Sequence, residues 1–288
     1  MHQIDKYHKA ISLYEPIEGD VTDKVQAIID KHYKECYTPE VLKLLYSCID
    51  LTTLMGGDTD ESVTKMVAGV NDFETNHPDI PNVAAICVYP ALVPTVKATL
   101  TCPDVRIASV AAGFPASQTF PEIKVAEVSM AVAEGANEVD VVLNLNHFLS
   151  EDYDGVCTEI EELKDAARGA HLKVIIESGL LADPRQIQIA SILSLYSGAD
   201  FIKTSTGKEY PGASLEAAYV MCQTLRKYYE LHGERRGFKA SGGVRTPEDV
   251  VKYYCIVKEI LGEEWLTPEL VRLGASSLGK NLLKAIEG

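Results

Sequence analysis

The sequence predicts an α/β protein of the (β/α)8 class, a TIM barrel, preceded by an N-terminal helical extension. Short runs typical of β-strands recur about every 32 residues, the length of one strand–helix–strand step. Helical segments separate the runs, and eight repeats over about 240 residues favour a closed barrel. An open doubly wound sheet is the alternative, but no Gly-x-Gly-x-x-Gly motif follows the first strand. The runs begin near Cys48, Ala84, Arg106, Glu138, Leu172, Asp200, Gly237 and Val271.

Residues 1–46 precede the first strand and form the predicted extension, and residues 47–288 form the predicted barrel. Two amphipathic helices are expected in the extension, over residues 22–35 and 38–46. We expect them to cover the bottom or the flank of the barrel. A subunit interface, as in a homodimer, is the alternative role.

Capping residues predict where several barrel helices begin and end. Asp183 and Thr246 each precede a proline, which pairs an N-cap residue with proline at the first helical position. Ser150 is the expected cap of a helix over residues 151–167, whose acidic first turn complements the helix dipole. Helices are expected to stop at Gly135, Gly198 and Gly262.

Composition excludes several classes of protein. The formal net charge of −15 argues against nucleic acid as a partner, because phosphate backbones require a basic face. No run of about 18 uncharged apolar residues exists, so we expect no membrane span. Residues 1–13 lack the apolar stretch of a signal peptide. Seven cysteines without a Cys-x-x-Cys pair fit reduced thiols, and we therefore expect a cytoplasmic protein.

Two lysines fall where the strand pattern places buried side chains. Lys203 shares one face of the sixth strand with Phe201 and Ser205. Lys239 is a charged residue between apolar neighbours of the seventh strand. A free lysine titrates near about 10.4, so a nucleophilic amine needs a shift of about 3 units, or roughly 4 kcal/mol. A second ammonium about 5 Å away supplies roughly 3 kcal/mol at an effective dielectric of about 20, and partial burial supplies the remainder. The pair therefore indicates one neutral lysine that can attack a carbonyl.

Two carboxylates are expected in the same cavity. Asp140 on the fourth strand could keep one ammonium protonated and relay protons. Asp50 on the first strand could do similar work or orient a substrate hydroxyl. For Glu177, which ends the fifth strand, a structural role and a role in the pocket are equally open. A structural polar layer near the barrel bottom is the preferred interpretation for residues early on their strands, namely Arg106, Glu138, Lys173 and Arg272.

Loops after the last strands predict an anion site. Small residues let backbone N–H groups approach a phosphate at a helix N-terminus, and the loops after strands seven and eight are the usual phosphate position in this fold. Simple turn glycines are the alternative. Cys87 on the second strand could face the cavity and is a candidate substrate-binding residue, although a place in the core or the pocket wall is the preferred interpretation. The histidines are scattered, with only His147 just past a strand, so no metal site is expected. The predicted phosphate cradle consists of Gly207, Lys208, Gly242, Gly243, Ser276 and Ser277.

Several segments closely resemble the deoxyribose-phosphate aldolase family. The most specific are Phe-Ile-Lys-Thr-Ser-Thr-Gly-Lys at 201–208 and Gly-Phe-Lys-Ala-Ser-Gly-Gly-Val-Arg-Thr at 237–246. The resemblance runs from about Asp50 to Ala285. The other matching segments are residues 50–54, 84–90, 138–142, 173–177 and 272–277.

The resemblance implies a (β/α)8 fold, no metal or organic cofactor, and reversible cleavage of 2-deoxy-D-ribose 5-phosphate to D-glyceraldehyde 3-phosphate and acetaldehyde. By motif position, Lys203 matches the Schiff-base lysine and Lys239 the second lysine that perturbs it. Asp140 matches the carboxylate of the proton relay, and Asp50 an additional polar residue of the site. The cradle residues Gly207, Gly243, Ser276 and Ser277 fall where the family binds phosphate, with Lys208 beside them.

Two departures from the family and three rival functions stay open at this stage. The N-terminal extension is longer than in compact bacterial members. The sequence ends at Gly288 without the tyrosine-ended tail of some members, so we expect proton transfer to rely on Asp140, Lys239 and water. The rivals are another lysine aldolase or transaldolase, a sugar-phosphate isomerase or epimerase that forms no covalent adduct, and a non-catalytic sugar-phosphate sensor.

Overall fold

The computed structural model describes residues 4–288. Residues 1–3 lie outside the described residues, and with them the first part of the predicted extension and of the segment tested for a signal peptide. Within the described part of the chain, every helix is too short or too polar to span a membrane.

Eight parallel strands close into a barrel in sequence order, because β8 pairs with β1. The predicted (β/α)8 class is confirmed, and each strand starts within one residue of its predicted position. Continuous runs of buried residues form these strands, as expected when helices cover the outer face of a parallel sheet. The strands are β1 Ile49–Thr52, β2 Ala85–Val88, β3 Arg106–Ala111, β4 Glu138–Val142, β5 His171–Ile175, β6 Phe201–Lys203, β7 Gly237–Ser241 and β8 Val271–Ala275.

Helices lie before the first strand and between the strands, and short 3-10 turns occur at Pro90–Leu92 and Glu263–Trp265. The helices are α1 Ile4–Ser12, α2 Val21–Cys36, α3 Pro39–Ser47, α4 Asp60–Asn71, α5 Phe73–Asn76, α6 Val93–Thr99, α7 Pro121–Glu134, α8 Leu145–Leu149, α9 Tyr153–Ala166, α10 Ser178–Leu181, α11 Pro184–Tyr196, α12 Leu215–His232, α13 Pro247–Ile260 and α14 Leu278–Glu287.

Most predicted helix boundaries are confirmed. Asp183 caps α11, and Thr246 caps α13 in a reciprocal capping box with Asp249. The prediction for Ser150 was wrong, because that residue ends the short helix α8 instead of beginning α9. Asp152 caps α9 by accepting a hydrogen bond from the Gly155 N–H. The sequence pattern did not separate α8, which has a single turn, from α9.

The extension packs along the flank of the barrel. Helix α2 contacts α12 and α13, and α3 contacts α13 and α14. Helix α1, which the pattern did not predict, lies against α9 and α11. There the buried Tyr7 hydroxyl donates to Glu161 at 2.5 Å, and the Arg185 guanidinium donates to the Tyr14 carbonyl at 3.2 Å. The helices of the extension therefore add a further layer to one side of the barrel.

The barrel interior has an apolar side and a charged side. Small residues of β2 and β3 leave space inside, and long charged side chains from β5 to β8 fill it. Near the bottom, Lys173 and Arg272 lie over the Phe201 ring, at 5.9 and 5.6 Å from its centroid. Gly237 lies opposite this ring, where a Cβ atom would come within 2.2 Å of it. The apolar side consists of Leu54, Ala85, Cys87, Ala108 and Val110.

Candidate active site

A cavity of about 340 Å³ opens at the carboxyl ends of the strands, with Lys203 among its lining residues. All six residues of the predicted phosphate cradle line this cavity as well. Asp50, Asp140 and Lys239 do not line it and are fully buried in the barrel interior. The predicted site residues therefore fall into an open group at the rim and a buried group inside the barrel.

Lys203 and Lys239 share one carboxylate oxygen. Asp140 Oδ2 accepts hydrogen bonds from Lys203 Nζ at 2.8 Å and from Lys239 Nζ at 2.7 Å. The two lysines are also paired in the register of β6 and β7. Because both bonds end on one oxygen, the two nitrogen atoms are no more than about 5.5 Å apart. We call Lys203, Lys239 and Asp140 the upper lysine group.

A second set of ion pairs lies below the upper lysine group and is joined to it. Lys173 Nζ lies 2.5 Å from Glu138 Oε2, and Arg272 donates two hydrogen bonds to the Glu138 carboxylate. We call Glu138, Lys173 and Arg272 the lower ion layer. Asp50 connects the two sets, because it accepts from Lys173 at 3.0 Å, from Arg272 at 2.7 Å and from Lys239. The lower ion layer is therefore continuous with the site rather than a separate structural layer.

Arg106 does not belong to this buried set. Its side chain is one-third exposed, and its guanidinium donates to Glu269 at 2.6 Å at the bottom of the barrel. It approaches Glu138 only to 3.6 Å. Of the four residues predicted for a bottom layer, three are inside the barrel and Arg106 lies at its edge.

Acids and bases of the interior come from different halves of the chain. The buried carboxylates of Asp50, Glu138 and Asp140 are on β1 and β4. The buried cations lie one on each of the strands β5 to β8, and they are Lys173, Lys203, Lys239 and Arg272. Every ion pair among these seven residues therefore joins the first half of the barrel to the second.

The number of carboxylate partners separates the pKa values of the lysines. Burial lowers the pKa of Lys203, Asp140 alone does not restore it, and the Lys239 ammonium lowers it further. Burial would also lower the pKa of Lys239, but Asp140 and Asp50 outweigh burial and raise that pKa. Lys173 faces three carboxylates, and its pKa is raised although it is fully buried. Lys203 is therefore the lysine of the three that most readily gives up its proton.

The cause of the Lys203 shift differs from the expectation. The sequence predicts that the second ammonium causes most of the lowering of the Lys203 pKa and that partial burial causes the remainder. In the structure Lys203 is only 3% exposed, and burial is the larger cause of its lowered pKa. For Asp140, burial would raise the pKa, but the ammonium groups of Lys173, Lys203 and Lys239 overcome burial and hold it well below its usual range. Asp140 is therefore a carboxylate beside an amine of lowered pKa.

The rim of the cavity has the geometry of an anion site. Gly207, Gly242 and Gly243 all have positive φ, between 72° and 84°, which L side chains rarely adopt. A Cβ atom on Gly242 would also lie 2.9 Å from the Cα of Gly212. Helix α14 starts at the cavity, and its N-cap residue Ser277 makes no side-chain capping bond. The first N–H groups of α14 are therefore not used by that cap, and they favour a negative ligand.

The structure adds cavity residues that sequence reasoning did not single out. Thr52, Thr206 and Arg245 line the same cavity as Lys203. Arg245 lies within the matching segment 237–246. It is an exposed cation beside Gly243, so of these three residues it is the one that the sequence could have indicated. Nothing in the strand pattern distinguishes Thr52 and Thr206 from other threonines.

Two residues with open roles lie beside the cavity. Cys87 is fully buried in the apolar side of the interior and does not line the cavity, and burial raises its pKa to about 11. Its predicted part in substrate binding stays a prediction. Glu177 is 2% exposed, and both of its carboxylate oxygens accept hydrogen bonds from Thr206. His147 pairs with Asp152 at 2.6 Å.

Comparison with known proteins identifies the family. The model of the DeoC/LacD family aldolases matches residues 44–254. Human deoxyribose-phosphate aldolase is 38% identical over 253 residues, which cover 83% of this chain and 78% of the human protein. The Bos taurus deoxyribose-phosphate aldolase is 37% identical over 260 residues, covering 85% and 80%.

A solved structure gives the same result. The tetrameric deoxyribose phosphate aldolase of Aeropyrum pernix superimposes with a TM-score of 0.68 at 25% identity, covering 94% of this chain and 99% of that one. The barrel, the buried lysine pair and the sequence matches agree, and the chain belongs to the DeoC/LacD family of aldolases.

Proposed function

We propose that this chain is a deoxyribose-phosphate aldolase that reversibly cleaves 2-deoxy-D-ribose 5-phosphate into D-glyceraldehyde 3-phosphate and acetaldehyde. The observation that carries the proposal is the position of Lys203, whose lowered pKa occurs in a lysine that lines the open cavity. A neutral amine at that place can form a Schiff base with an aldehyde. The family relationship and the names of the relatives support the same activity.

The reaction begins at the amine of Lys203. Neutral Nζ attacks the C1 aldehyde of the open-chain sugar, and loss of water from the resulting carbinolamine gives an iminium. Lys239 stays protonated, since Asp50 and Asp140 raise its pKa. Its ammonium can donate the proton with which the carbinolamine hydroxyl leaves as water. The unequal pKa values of the two lysines thus assign one as nucleophile and the other as acid.

Bond cleavage requires a base for the C3 hydroxyl. Asp140 Oδ1 accepts no hydrogen bond within the described chain, although Lys173 Nζ lies 3.3 Å away. We assign the C3 hydroxyl proton to this carboxylate through a water molecule. As the proton leaves, the C3–O bond becomes the carbonyl of D-glyceraldehyde 3-phosphate and the C2–C3 bond breaks. Its electron pair forms the enamine on Lys203.

Return of the amine requires one proton and one water. The enamine C2 takes a proton from the Lys239–Asp140 pair through water, which regenerates an iminium. Addition of water to C1 then releases acetaldehyde and restores the neutral amine of Lys203, and the proton that this hydrolysis releases returns to Lys239, which gave one up when the carbinolamine lost water. Lys203 and Lys239 both donate to Asp140 Oδ2, so one proton can pass between acid and base without leaving the barrel.

The phosphate of the substrate is assigned to the cradle at the rim. The glycine turns and the start of α14 line the cavity, where their backbone N–H groups can bind a negative ligand, and Lys208 and Arg245 add positive charge. The chain has a net charge of −15, but the rim of the cavity is locally basic and can still bind an anionic substrate. Binding energy from the phosphate fixes C1 at Lys203, which is how a remote group accelerates the reaction.

Borohydride trapping tests the proposal. Incubation with acetaldehyde and borohydride should leave an N-ethyl group on Lys203 in peptide mass spectra, and the enzyme should lose activity as the group accumulates. Lys208→Met, which removes an exposed lysine of the same cavity, should still be ethylated at Lys203. An adduct on Lys239, or cleavage of the sugar phosphate without any trapped adduct, would overturn the assignment.

We also propose a homodimer, supported by an apolar stripe on α7. Ile123 and Met130 are 55% and 66% exposed, and their spacing of seven residues places them on one face of α7, while Phe120, the N-cap residue just before that helix, is 75% exposed. Light scattering of the native protein should give twice the chain mass, and Phe120→Ser with Met130→Ser should give the monomer. A monomeric or tetrameric native protein contradicts this proposal.

The extension and the compartment complete the proposal. We assign residues 1–46 a structural role, because α1, α2 and α3 cover barrel helices and contribute no residue to the cavity lining. Deleting them should lower the melting temperature more than it lowers activity per folded molecule. The seven free cysteines fit a reducing cytoplasm, and recovery of the tagged protein from a secreted fraction would contradict that location.

A further inference from the structure

Glu177 is a buried carboxylate that the proposed mechanism does not use. It follows β5 directly and is 2% exposed, yet none of its hydrogen bonds goes to a barrel cation. Its backbone adopts the left-handed conformation, with φ 52° and ψ 56°. For a residue other than glycine, this conformation costs about 1 kcal/mol or more. A strained, buried acid of this kind calls for a compensating interaction.

Both oxygens of Glu177 hold a single residue of the cavity wall. Oε1 accepts from the Thr206 backbone N–H at 3.1 Å, and Oε2 accepts from the Thr206 hydroxyl at 2.7 Å. Because the hydroxyl gives its hydrogen to Glu177, its lone pairs face elsewhere, and it accepts from the Lys208 backbone N–H at 3.2 Å. The carboxylate thus sets the orientation of Thr206 and, through Thr206, of the segment 206–208.

The segment 206–208 forms one wall of the phosphate cradle. Thr206, Gly207 and Lys208 all line the cavity that contains Lys203, and the Lys208 ammonium donates to the Leu54 carbonyl across the cavity rim. Gly207 has a φ of 72°, a conformation that a loop must be held in to present its N–H groups. The position of these groups therefore depends on what anchors Thr206.

A role for Glu177 as an acid or base in the chemistry fits the contacts less well. Both of its oxygens are occupied by Thr206, and it does not line the cavity of Lys203. The neighbouring backbone supports an anchoring role: the Ser178 N–H donates to the Thr204 carbonyl at 2.8 Å. A Cβ atom on Gly179 would lie 2.0 Å from the Pro211 carbonyl oxygen, so α10 packs directly on the loop after β6.

We propose that Glu177 is a positioning residue that confers specificity for phosphorylated substrates, by holding Thr206 and through it the cradle wall of Gly207 and Lys208. The inference rests on the proposed function, since it concerns the phosphate end of that substrate. Glu177 acts through Thr206 and touches neither the reacting carbon atoms nor Lys203.

The test compares two sugars that differ only in the phosphate. Cleavage of 2-deoxyribose 5-phosphate and of 2-deoxyribose is measured for the native enzyme and for Glu177→Ala. We expect KM for the phosphorylated sugar to rise at least about tenfold, the size expected for loss of charge-assisted hydrogen bonds. We expect kcat and the kcat/KM for the unphosphorylated sugar to change by less than about threefold, because Lys203 and its partners stay in place.

Further variants separate positioning from folding. Glu177→Gln keeps the shape and one acceptor, so its KM for the phosphorylated sugar should lie between those of the native enzyme and Glu177→Ala. Thr206→Val should raise the same KM, and combining it with Glu177→Ala should add little, since both changes break one contact. Glu209→Gln, an exposed acid on the same loop, is the matched control and should leave both sugars unaffected. Circular dichroism and melting curves check that each variant is folded.

Two results distinguish the inference from the function on which it rests. If the native enzyme does not cleave the sugar phosphate, or cleaves both sugars equally well, the proposed function fails. If the native enzyme prefers the phosphorylated sugar and folded Glu177→Ala keeps that preference, or loses activity on both sugars alike, the positioning role of Glu177 fails.

Discussion

The upper lysine group and the lower ion layer are both built from buried cations and buried carboxylates, yet their lysines differ. Lys203 has one carboxylate partner and a lowered pKa, whereas Lys173 has three and a raised pKa. Lys239 lies between them, with two partners and a raised pKa. Burial favours the neutral amine at all three positions, and the count of acids decides where the proton stays.

The comparison teaches why a barrel interior can hold both a nucleophile and structural charges. Breaking a buried ion pair leaves an uncompensated charge, which is strongly destabilising. In the lower ion layer each cation has several acids and is kept charged. In the upper lysine group Lys203 has one carboxylate partner, and it is also the lysine that lines the cavity. Lys203, the proposed nucleophile, is thus the lysine of the three with the fewest carboxylate partners.

The largest expected effect is on catalysis at that end. Lys203→Met should lower kcat for sugar-phosphate cleavage by a factor on the order of 10⁴ or more, since the covalent route is lost. It should remain folded, because the residue it replaces has a single ion pair and methionine fills a similar volume. Steady-state kinetics and urea unfolding measure the two quantities. If the variant loses its folded structure together with its activity, Lys203 is a structural lysine like Lys173.

The next effect concerns the lysine with two carboxylates. Lys239→Met should lower kcat by about 10² to 10⁴, the range for loss of a positioned acid or base. Lys203 should still be ethylated by acetaldehyde and borohydride, since its amine is present. Trapping yield and kcat are measured on the same preparation. If kcat stays within about threefold of the native value, Lys239 is a structural member of the lower ion layer.

Breaking the lower ion layer should act on stability. Arg272→Met leaves Glu138 and Asp50 without their guanidinium partner, and the free energy of unfolding should fall by about 3 to 5 kcal/mol. Combining it with Glu138→Gln should recover part of that loss, because the carboxylate that lost its guanidinium partner and keeps only Lys173 nearby inside the barrel is gone. Urea unfolding of the single and double variants provides the measurement. No recovery in the double variant would mean that the guanidinium acts by packing on Phe201 instead.

The pH profile should report the amine of Lys203. Its pKa lies below the usual 10.5, so kcat/KM should rise with pH as the amine loses its proton and then level off. Between the two pKa values the unfolded chain binds more protons, so this residue's contribution to stability also rises with pH up to the unfolded value. In Lys239→Met the rise should move to higher pH, because the second ammonium, which lowers the pKa of Lys203, is gone. An unmoved profile would show that burial alone sets the pKa.

The smallest effect is expected where charge is exposed to water. Lys208 lies on the cavity rim, and solvent screens its ammonium. Lys208→Met should raise KM for the phosphorylated sugar by about fivefold to tenfold and leave kcat unchanged. Raising the salt concentration should weaken binding to the native enzyme and have less effect on the variant. A change in kcat would place Lys208 closer to the chemistry than the cavity indicates.

Much of this arrangement was predictable because it follows from strand period and position. The alternation of β6 and β7 places Lys203 and Lys239 inside, and the carboxyl-end rule places them at the site. The cradle glycines were predictable from their place after the last strands. In each case the information lies within one strand and the loop that follows it.

The rest depends on contacts between distant strands, which no local pattern contains. Asp50 joins β5, β7 and β8, and Lys173 reaches Asp140, so the lower ion layer is joined to the upper lysine group. The bonds from Thr206 to Glu177 join two loops about 30 residues apart, and neither residue type signals them. Helix α1 and the split into α8 and α9 were missed because these helices are short.

The division of interior acids and bases between the halves of the barrel has a consequence for assembly. As the chain leaves the ribosome, β1 to β4 appear first with three buried carboxylates, and the four buried cations that pair with them follow only on β5 to β8. That half cannot bury its interior alone, and a second copy of it would bring only more negative charge. If the chain is cut between β4 and β5, each fragment should therefore bind the other fragment and should not bind a second copy of itself. The charges proposed to prepare Lys203 for chemistry should therefore also direct the first half of the barrel to close with the second half, and not with another copy of itself.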